Sequence, residues 1–214
     1  SNVTAGGSVA LSAGADLSMI ASRINAKDEA YLYAGNDVNV LAAQDTDYSY
    51  YSKTKKGSWG KKSTNMTESD SDVAIGSLIQ SGQKATIVAV NDVNFEGSKA
   101  NSDNGVLAVQ AGHDVNLTAA QNSQYSAAAT FKSGGFGLST TSKMKSDAST
   151  QTSLSASTLS GNTTLVRAGN DLVVSASNVI STEQTTLKPA TMLSSTVALK
   201  ASMPSTASRL KNPA

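Results

Sequence analysis

The chain has 214 residues, 17 Lys plus Arg against 16 Asp plus Glu, and a formal net charge of +1, a balance that gives no reason to expect a nucleic acid partner. No run of about 18 apolar residues is present, so no membrane-spanning helix is expected, and the absence of Cys removes disulfides and thiolate chemistry. Ser, Ala, Thr and Asn (34, 30, 21 and 15) dominate, whereas 16 Leu, 6 Ile, 16 Val and 3 Phe make up only about 19%. Below roughly 20% a chain of high net charge is read as disordered. This chain is nearly neutral, so periodicity has to decide between a polar low-complexity tract and a very regular fold.

Taken in chain order, a short apolar strand recurs, followed by Ala-Gly-x-Asp and then apolar-x-apolar. The first copy is Ala13-Gly14-Ala15-Asp16-Leu17-Ser18-Met19, and the second is Ala34-Gly35-Asn36-Asp37-Val38-Asn39-Val40. A polar stretch, residues 48–82, interrupts, carrying Lys53, Lys55, Lys56, Gly57, Trp59, Gly60, Lys61 and Lys62. The third copy, Ala89-Val90-Asn91-Asp92-Val93-Asn94-Phe95, has Val90 in place of Gly, and the fourth is Ala111-Gly112-His113-Asp114-Val115-Asn116-Leu117. A second polar stretch, residues 125–161, passes through Gly135-Phe136-Gly137, and the fifth copy is Ala168-Gly169-Asn170-Asp171-Leu172-Val173-Val174. The remaining residues, with Pro189, Pro204 and Pro213, show no copy of the motif.

The aspartates are spaced by 21, 55, 22 and 57 residues, which makes a super-repeat of 77 to 79. Period-two alternation predicts strands with one buried face. The expected inward residues include Leu17/Met19, Val38/Val40, Val93/Phe95, Val115/Leu117 and Leu172/Val174 after the Asp, with Ala30/Leu32/Ala34 and its equivalents before it. Five residues after each Asp stands a small residue (Ala21, Ala42, Gly97, Ala119, Ala176), as a tight corner demands. A period near 21 with short strands predicts one coil of a parallel β-helix. A leucine-rich repeat lacks support because its Leu-x-x-Leu-x-Leu spacing is missing, and no 3.6-residue period supports helices. Each polar stretch alternates, turns through glycines and alternates back, so two β-hairpin excursions are expected, at about 45–82 and 122–161, one super-repeat apart and pairing side by side. Residues 1–182 are thus read as β-helix, and 183–214 as a divergent C-terminal cap, a linker or a disordered tail. No basic n-region with an apolar h-region occurs, so no signal peptide is expected; the start at Ser1 without Met suggests a piece of something longer.

The Ala-Gly-Asn-Asp-Val-Asn-Val copies, the Gly-Trp-Gly and Gly-Phe-Gly insertions and the Gly-Ser-x-Leu/Ile return (Gly76-Ser77-Leu78-Ile79) together resemble the haemagglutinin repeats of filamentous haemagglutinin-like two-partner-secretion exoproteins. More narrowly they resemble the second repeat region of contact-dependent growth inhibition effectors, over roughly residues 6 to 182. The resemblance implies an all-β, right-handed parallel β-helix acting as a stalk in a very long bacterial exoprotein. It also implies export through an outer-membrane two-partner-secretion transporter, a secreted or cell-surface location, and help in carrying a toxin into a target cell.

Candidate residues follow from the repeat. Gly14, Asp16, Gly35, Asp37, Asn91, Asp92, Gly112, Asp114, Gly169 and Asp171 are expected to build the turns, the glycines by adopting positive φ and the aspartates by hydrogen bonding the turn backbone. The alternative role for the aspartates, Ca²⁺ between coils, would need tandem nine-residue motifs rather than one Asp per coil. His113 occupies the Asn position and is read as a turn residue. No cofactor or metal is expected. Lys53, Lys55, Lys56, Trp59, Lys61 and Lys62, with Tyr48, Tyr50 and Tyr51, form the most distinctive surface feature. It is read either as edge protection against sheet aggregation or as a contact for a target-cell surface, anionic glycan or membrane headgroups. A polysaccharide-degrading β-helix enzyme is the remaining alternative, for which no convergent set of carboxylates is found. Glu68, Asp70 and Asp72 are read as a solvated face balancing the lysines across the hairpin.

Overall fold

The computed structural model describes residues 1–58, 60–134 and 141–195. Among these residues all regular structure is β, and the coils wind into a parallel β-helix of three faces. The first face stacks β2 (Val9–Ala13), β5 (Glu29–Ala34), β10 (Lys84–Ala89), β13 (Val106–Ala111) and the second halves of β17 (Thr158–Ala168) and β19 (Asn178–Pro189). The second face stacks β3 (Leu17–Ile20), β6 (Val38–Leu41), β11 (Val93–Glu96), β14 (Val115–Thr118), β18 (Asp171–Val174) and β20 (Met192–Ser195). The third stacks β1 (Asn2–Ala5), β4 (Arg23–Ala26), β9 (Leu78–Ser81), β12 (Lys99–Ser102) and the first halves of β17 and β19. All pairings between coils are parallel and hold equivalent residues in register, as in Ala30 and Ala85, Leu32 and Ile87, and Ala34 and Ala89.

Register explains how so few large side chains suffice. Each coil sends two or three residues per face inward, where they stack on their counterparts at roughly 4.8 Å. Leu32, Ile87, Val109 and Val166 form one buried column, and Val40, Phe95 and Leu117 another. The third face adds Ile24, Ile79, Ala100, Leu159 and Val179, none of which the repeat pattern singles out. Its four-residue strands carry one apolar and one small inward residue, as in Ile79 and Ser81, too few for a visible period.

Three expectations need correction. First, the excursions are β7 (Ala43–Lys56) with β8 (Lys62–Ile75), and β15 (Ala120–Gly134) with β16 (Thr141–Ser155). The return segments assigned to the hairpins, residues 76–82 and 157–161, belong to the coil instead. Their Ile79 and Leu159 are fully buried on the third face, where the coil needs an apolar residue. Second, residues 183–195 extend the solenoid. Thr185, Leu187 and Pro189 pair with Thr164, Val166 and Ala168, and β20 pairs with β18. Pro189 is tolerated because it ends a strand at the sheet edge, where no ladder hydrogen bond is required of its nitrogen. The rest of the expected tail, residues 196–214, lies outside the described residues.

Third, Gly14, Gly35, Gly112 and Gly169 do not have positive φ. At Gly35, Gly112 and Gly169, though not in the third coil, where Val90 stands, glycine is needed because the coil below passes too close. A Cβ on Gly35 would lie 2.2 Å from the Gly14 carbonyl oxygen, and one on Gly169 would lie 1.9 Å from that of Gly112. Positive φ occurs at the next corner instead, at Ala21 (43°), Gly97 (55°) and Ala176 (47°). These are the small residues five positions after the Asp in the three coils that close without a hairpin.

Candidate functional site

Two polar ladders hold the corners. In the first, each repeat Asp except the last accepts hydrogen bonds from the next coil. Asp16 Oδ1 takes Asn36 Nδ2 (2.7 Å) and the Asp37 N–H (3.2 Å); Asp37 Oδ1 takes Asn91 Nδ2 (2.8 Å) and the Asp92 N–H (3.1 Å). Asp92 Oδ1 takes the Asp114 N–H (2.9 Å), and Asp114 Oδ1 takes Asn170 Nδ2 and the Asp171 N–H, both at 3.0 Å. These donors offset the stacked charges. His113 replaces the amide in one rung and makes only a backbone link there, to the Asn91 carbonyl. The ladder ends where Met192 stands over Asp171, whose Oδ1 is buried without a partner. Among the described residues no group of three or more His, Cys, Asp or Glu is placed to hold a metal.

The second ladder was not foreseen from the sequence. Ser22, Ser77, Ser98, Ser157 and Ser177 open the third face of successive coils. The N–H of Ser22 donates to Ser77 Oγ (3.0 Å), that of Ser77 to Ser98 Oγ (2.9 Å) and that of Ser98 to Ser157 Oγ (3.2 Å). In hairpin-free coils the hydroxyl donates two residues back, as Ser98 Oγ does to the Glu96 carbonyl (2.8 Å). In the other two it reaches across the base of the excursion: Ser77 Oγ to Leu41 O (2.8 Å), and Ser157 Oγ to Thr118 O (2.6 Å). Each hairpin therefore enters and leaves the coil at one point, and the coil closes behind it.

Beyond the coil the hairpins join into one antiparallel sheet, β7-β8-β15-β16. Residues 62–72 of β8 pair with 123–133 of β15 without interruption. At 15 residues, arms such as β15 project about 50 Å. Both faces of this paddle meet solvent. Directly opposed residues share a face, so the register assigns Tyr48, Tyr50, Met66, Tyr125, Phe131 and Met144 to one face. Tyr51 and most of the lysines fall on the other. At the paddle's end, Lys55, Ser63, Lys132 and Lys143 form one rung, and Lys53, Asn65, Thr130 and Lys145 the next. On the tyrosine face the end rung is Lys56, Lys62 and Ser133, backed by Thr54, Thr64, Phe131 and Met144. Lys61 lies in the turn; Trp59 and Phe136 lie outside the described residues.

Charge is segregated along the paddle. Asp45, Asp47, Glu68, Asp70 and Asp72 lie toward the coil, and all eight lysines toward the tip. Glu68 and Asp70 stand opposite Tyr50 and Tyr48, so these acids do not balance the lysines. They serve the base: Asp72 accepts from Thr46 Oγ1 (2.7 Å) and Ser123 Oγ (2.9 Å), tying three strands, and Tyr48 donates to Glu68 Oε1 (3.1 Å). The Thr46 and Ser123 hydroxyls hold the Asp72 carboxyl below its usual range. The bond to Glu68, with some desolvation, pushes the Tyr48 phenol up. Among the described residues the one ion pair is Lys145 with Asp147, at 3.4 Å between exposed groups.

A solenoid of stacked corner ladders with paired side hairpins defines a repeat protein. The haemagglutinin repeat model matches residues 1–62 and 57–191, and the chain belongs to that family. It is 34% identical over 185 residues to the tRNA nuclease CdiA of Escherichia coli (strain STEC_O31), covering 86% of this chain and 5% of that protein. It is 31% identical over 200 residues to the tRNA nuclease CdiA-2 of Burkholderia pseudomallei (strain 1026b), covering 86% and 6%. It is 31% identical over 122 residues to the 16S rRNA endonuclease CdiA of Enterobacter cloacae, covering 56% and 4%. The chain thus spans about a twentieth of the length of these relatives. No solved structure matches.

Proposed function

We propose that this chain is a non-enzymatic structural segment of a secreted, surface-displayed bacterial exoprotein, and that its coils form a stiff stalk that projects or helps deliver an adhesin or toxin in cell contact. The observation that carries this reading is the continuity of the ladders. Two excursions of more than 30 residues leave the coil, yet Ser77 and Ser157 restore the stack without a change of register. A rod that tolerates side elements without losing its axis suits a spacer, and the CdiA relatives, named as nucleases over far longer chains, support its place in a delivery protein. An outer-membrane two-partner-secretion transporter is the partner this reading assigns to the parent protein.

The test uses the parent exoprotein. Removing Asp37–His113, one super-repeat, joins Asn36 to Asp114 in phase. Export, display and delivery are expected to persist, whereas an out-of-phase deletion of similar size abolishes display. Loss of delivery by the in-phase deletion, with display unchanged, overturns the spacer reading.

A further inference from the structure

The tip lysines are more than edge protection. Lysine shields a sheet where strands lie unpaired, which accounts for Lys53, Lys55 and Lys56 on β7 and for Lys143 and Lys145 on β16. It does not account for Lys62 and Lys132, which sit on the interior strands β8 and β15, paired on both sides. Lys132 stands beside Lys143 on one face and Lys62 beside Lys56 on the other. Such like-charge neighbours destabilise a sheet, and no described carboxylate lies within ion-pair distance of these four. Residues 59, 135–140 and 196–214 contain no Asp or Glu. Lys55, Lys56, Lys61, Lys62, Lys132 and Lys143 surround an open cleft of about 450 Å³ at the paddle's end.

We propose that this cleft and its rim bind the phosphate-bearing headgroups of an anionic lipid surface. Three features favour that ligand. All the charges are Lys, which meets phosphate as a mobile point charge and lacks the planar fork that arginine offers a single shaped anion. They lie at the end of a lever about 50 Å long, so a flat surface meets them before it meets the coil. Exposed Phe131 and Met144 stand one rung behind, on the tyrosine face, where they contact the interfacial layer once the lysines have docked. The register matters because neither hairpin alone assembles the set: β15 and β16 bring Lys132 and Lys143 to the four lysines of the first hairpin.

The full 214-residue chain is tested by co-sedimentation with phosphatidylcholine vesicles, with and without phosphatidylglycerol. Binding is expected only with the anionic lipid and is expected to fall as salt rises. Lys62→Gln with Lys132→Gln weakens it about 25-fold, at about fivefold per lysine near a charged surface. Lys27→Gln with Lys99→Gln, on the coil, leaves it unchanged. Equal binding to neutral vesicles, unchanged binding by the interior-strand pair, or equal loss in the coil pair overturns the proposal. So does stronger competition by polygalacturonate than by soluble polyphosphate, which makes the ligand an acidic glycan. Unaltered unfolding midpoints show that each variant is folded; should the Lys62/Lys132 variant unfold, Lys61→Gln with Lys143→Gln, at the turn and the edge, gives the same readout.

Discussion

Replacing Ser157 with Ala tests whether the serine ladder closes the coil behind each hairpin. The hydroxyl is fully buried, donates to the Thr118 carbonyl at 2.6 Å and accepts the Ser98 N–H at 3.2 Å. Thr118 keeps a second donor, the Gly97 N–H at 3.0 Å, so its carbonyl is not orphaned. The Ser98 N–H has no alternative and Ser98 is itself fully buried. An unsatisfied buried donor costs about 1–3 kcal/mol, and the lost bond to Thr118 adds about 1 kcal/mol. The variant should therefore lose about 2–4 kcal/mol. With a urea slope of about 2 kcal/mol/M, its unfolding midpoint moves down by about 1–2 M, followed by the β signal in far-UV circular dichroism. Ser149→Ala, exposed on β16, should stay within about 0.5 kcal/mol. If both variants unfold at the same urea concentration, the hydroxyl does not close the coil and the reasoning fails.

Gly35→Ala should cost about 3 kcal/mol, because its Cβ meets a carbonyl oxygen at 2.2 Å, whereas Gly14→Ala, with open space around it, should be nearly neutral; thermal unfolding separates the two. Deleting residues 43–76 joins Ala42 to Ser77 and recreates the Ala21–Ser22 corner, so the shortened chain is expected to fold with Ala42 at positive φ, and an unfolded or aggregated product counts against the insertion geometry. Because the Asp72 pKa is depressed, its contribution to holding the hairpins together is present above the unfolded value near 3.8 and is lost as pH falls through the lower folded value. Carboxyl NMR should show Asp72 titrating below 3.8, and Thr46→Val with Ser123→Ala should raise that midpoint; no change would mean the hydroxyls do not tune it.

The parts of the fold that repeat chemically were open to reading from the residues. Asp16 through Asp171 mark five of the six coils with a turn, and their neighbours alternate over enough positions to show which side is buried. The third face was hidden because Ile24, Ile79 and Leu159 each stand almost alone in a short polar strand. Ser77 looks like any serine until the chain folds back and places it beside Leu41. The sixth coil escaped notice because Leu187 and Met192 follow no Ala-Gly-x-Asp; stacking on β17 and β18 supplies a register that the local sequence does not. At the tip, the lysines of the first hairpin were evident, but their meeting with Lys132 and Lys143 depends on pairing between β8 and β15, whose partners, from Ser123 with Asp72 to Ser133 with Lys62, are far apart in the chain.

The placement of hairpins on every second coil has a geometric consequence. Two coils advance the solenoid by about 9.6 Å, and a two-stranded hairpin is also about 9.6 Å wide, because both distances are twice the same interstrand spacing. Rod and side sheet therefore share a pitch, like a rack cut to match its own teeth. A hairpin on each coil would overcrowd the sheet, and one on every third would leave a gap between arms. Gene duplication in units of 77 to 79 residues lengthens both structures together, without strain accumulating between them.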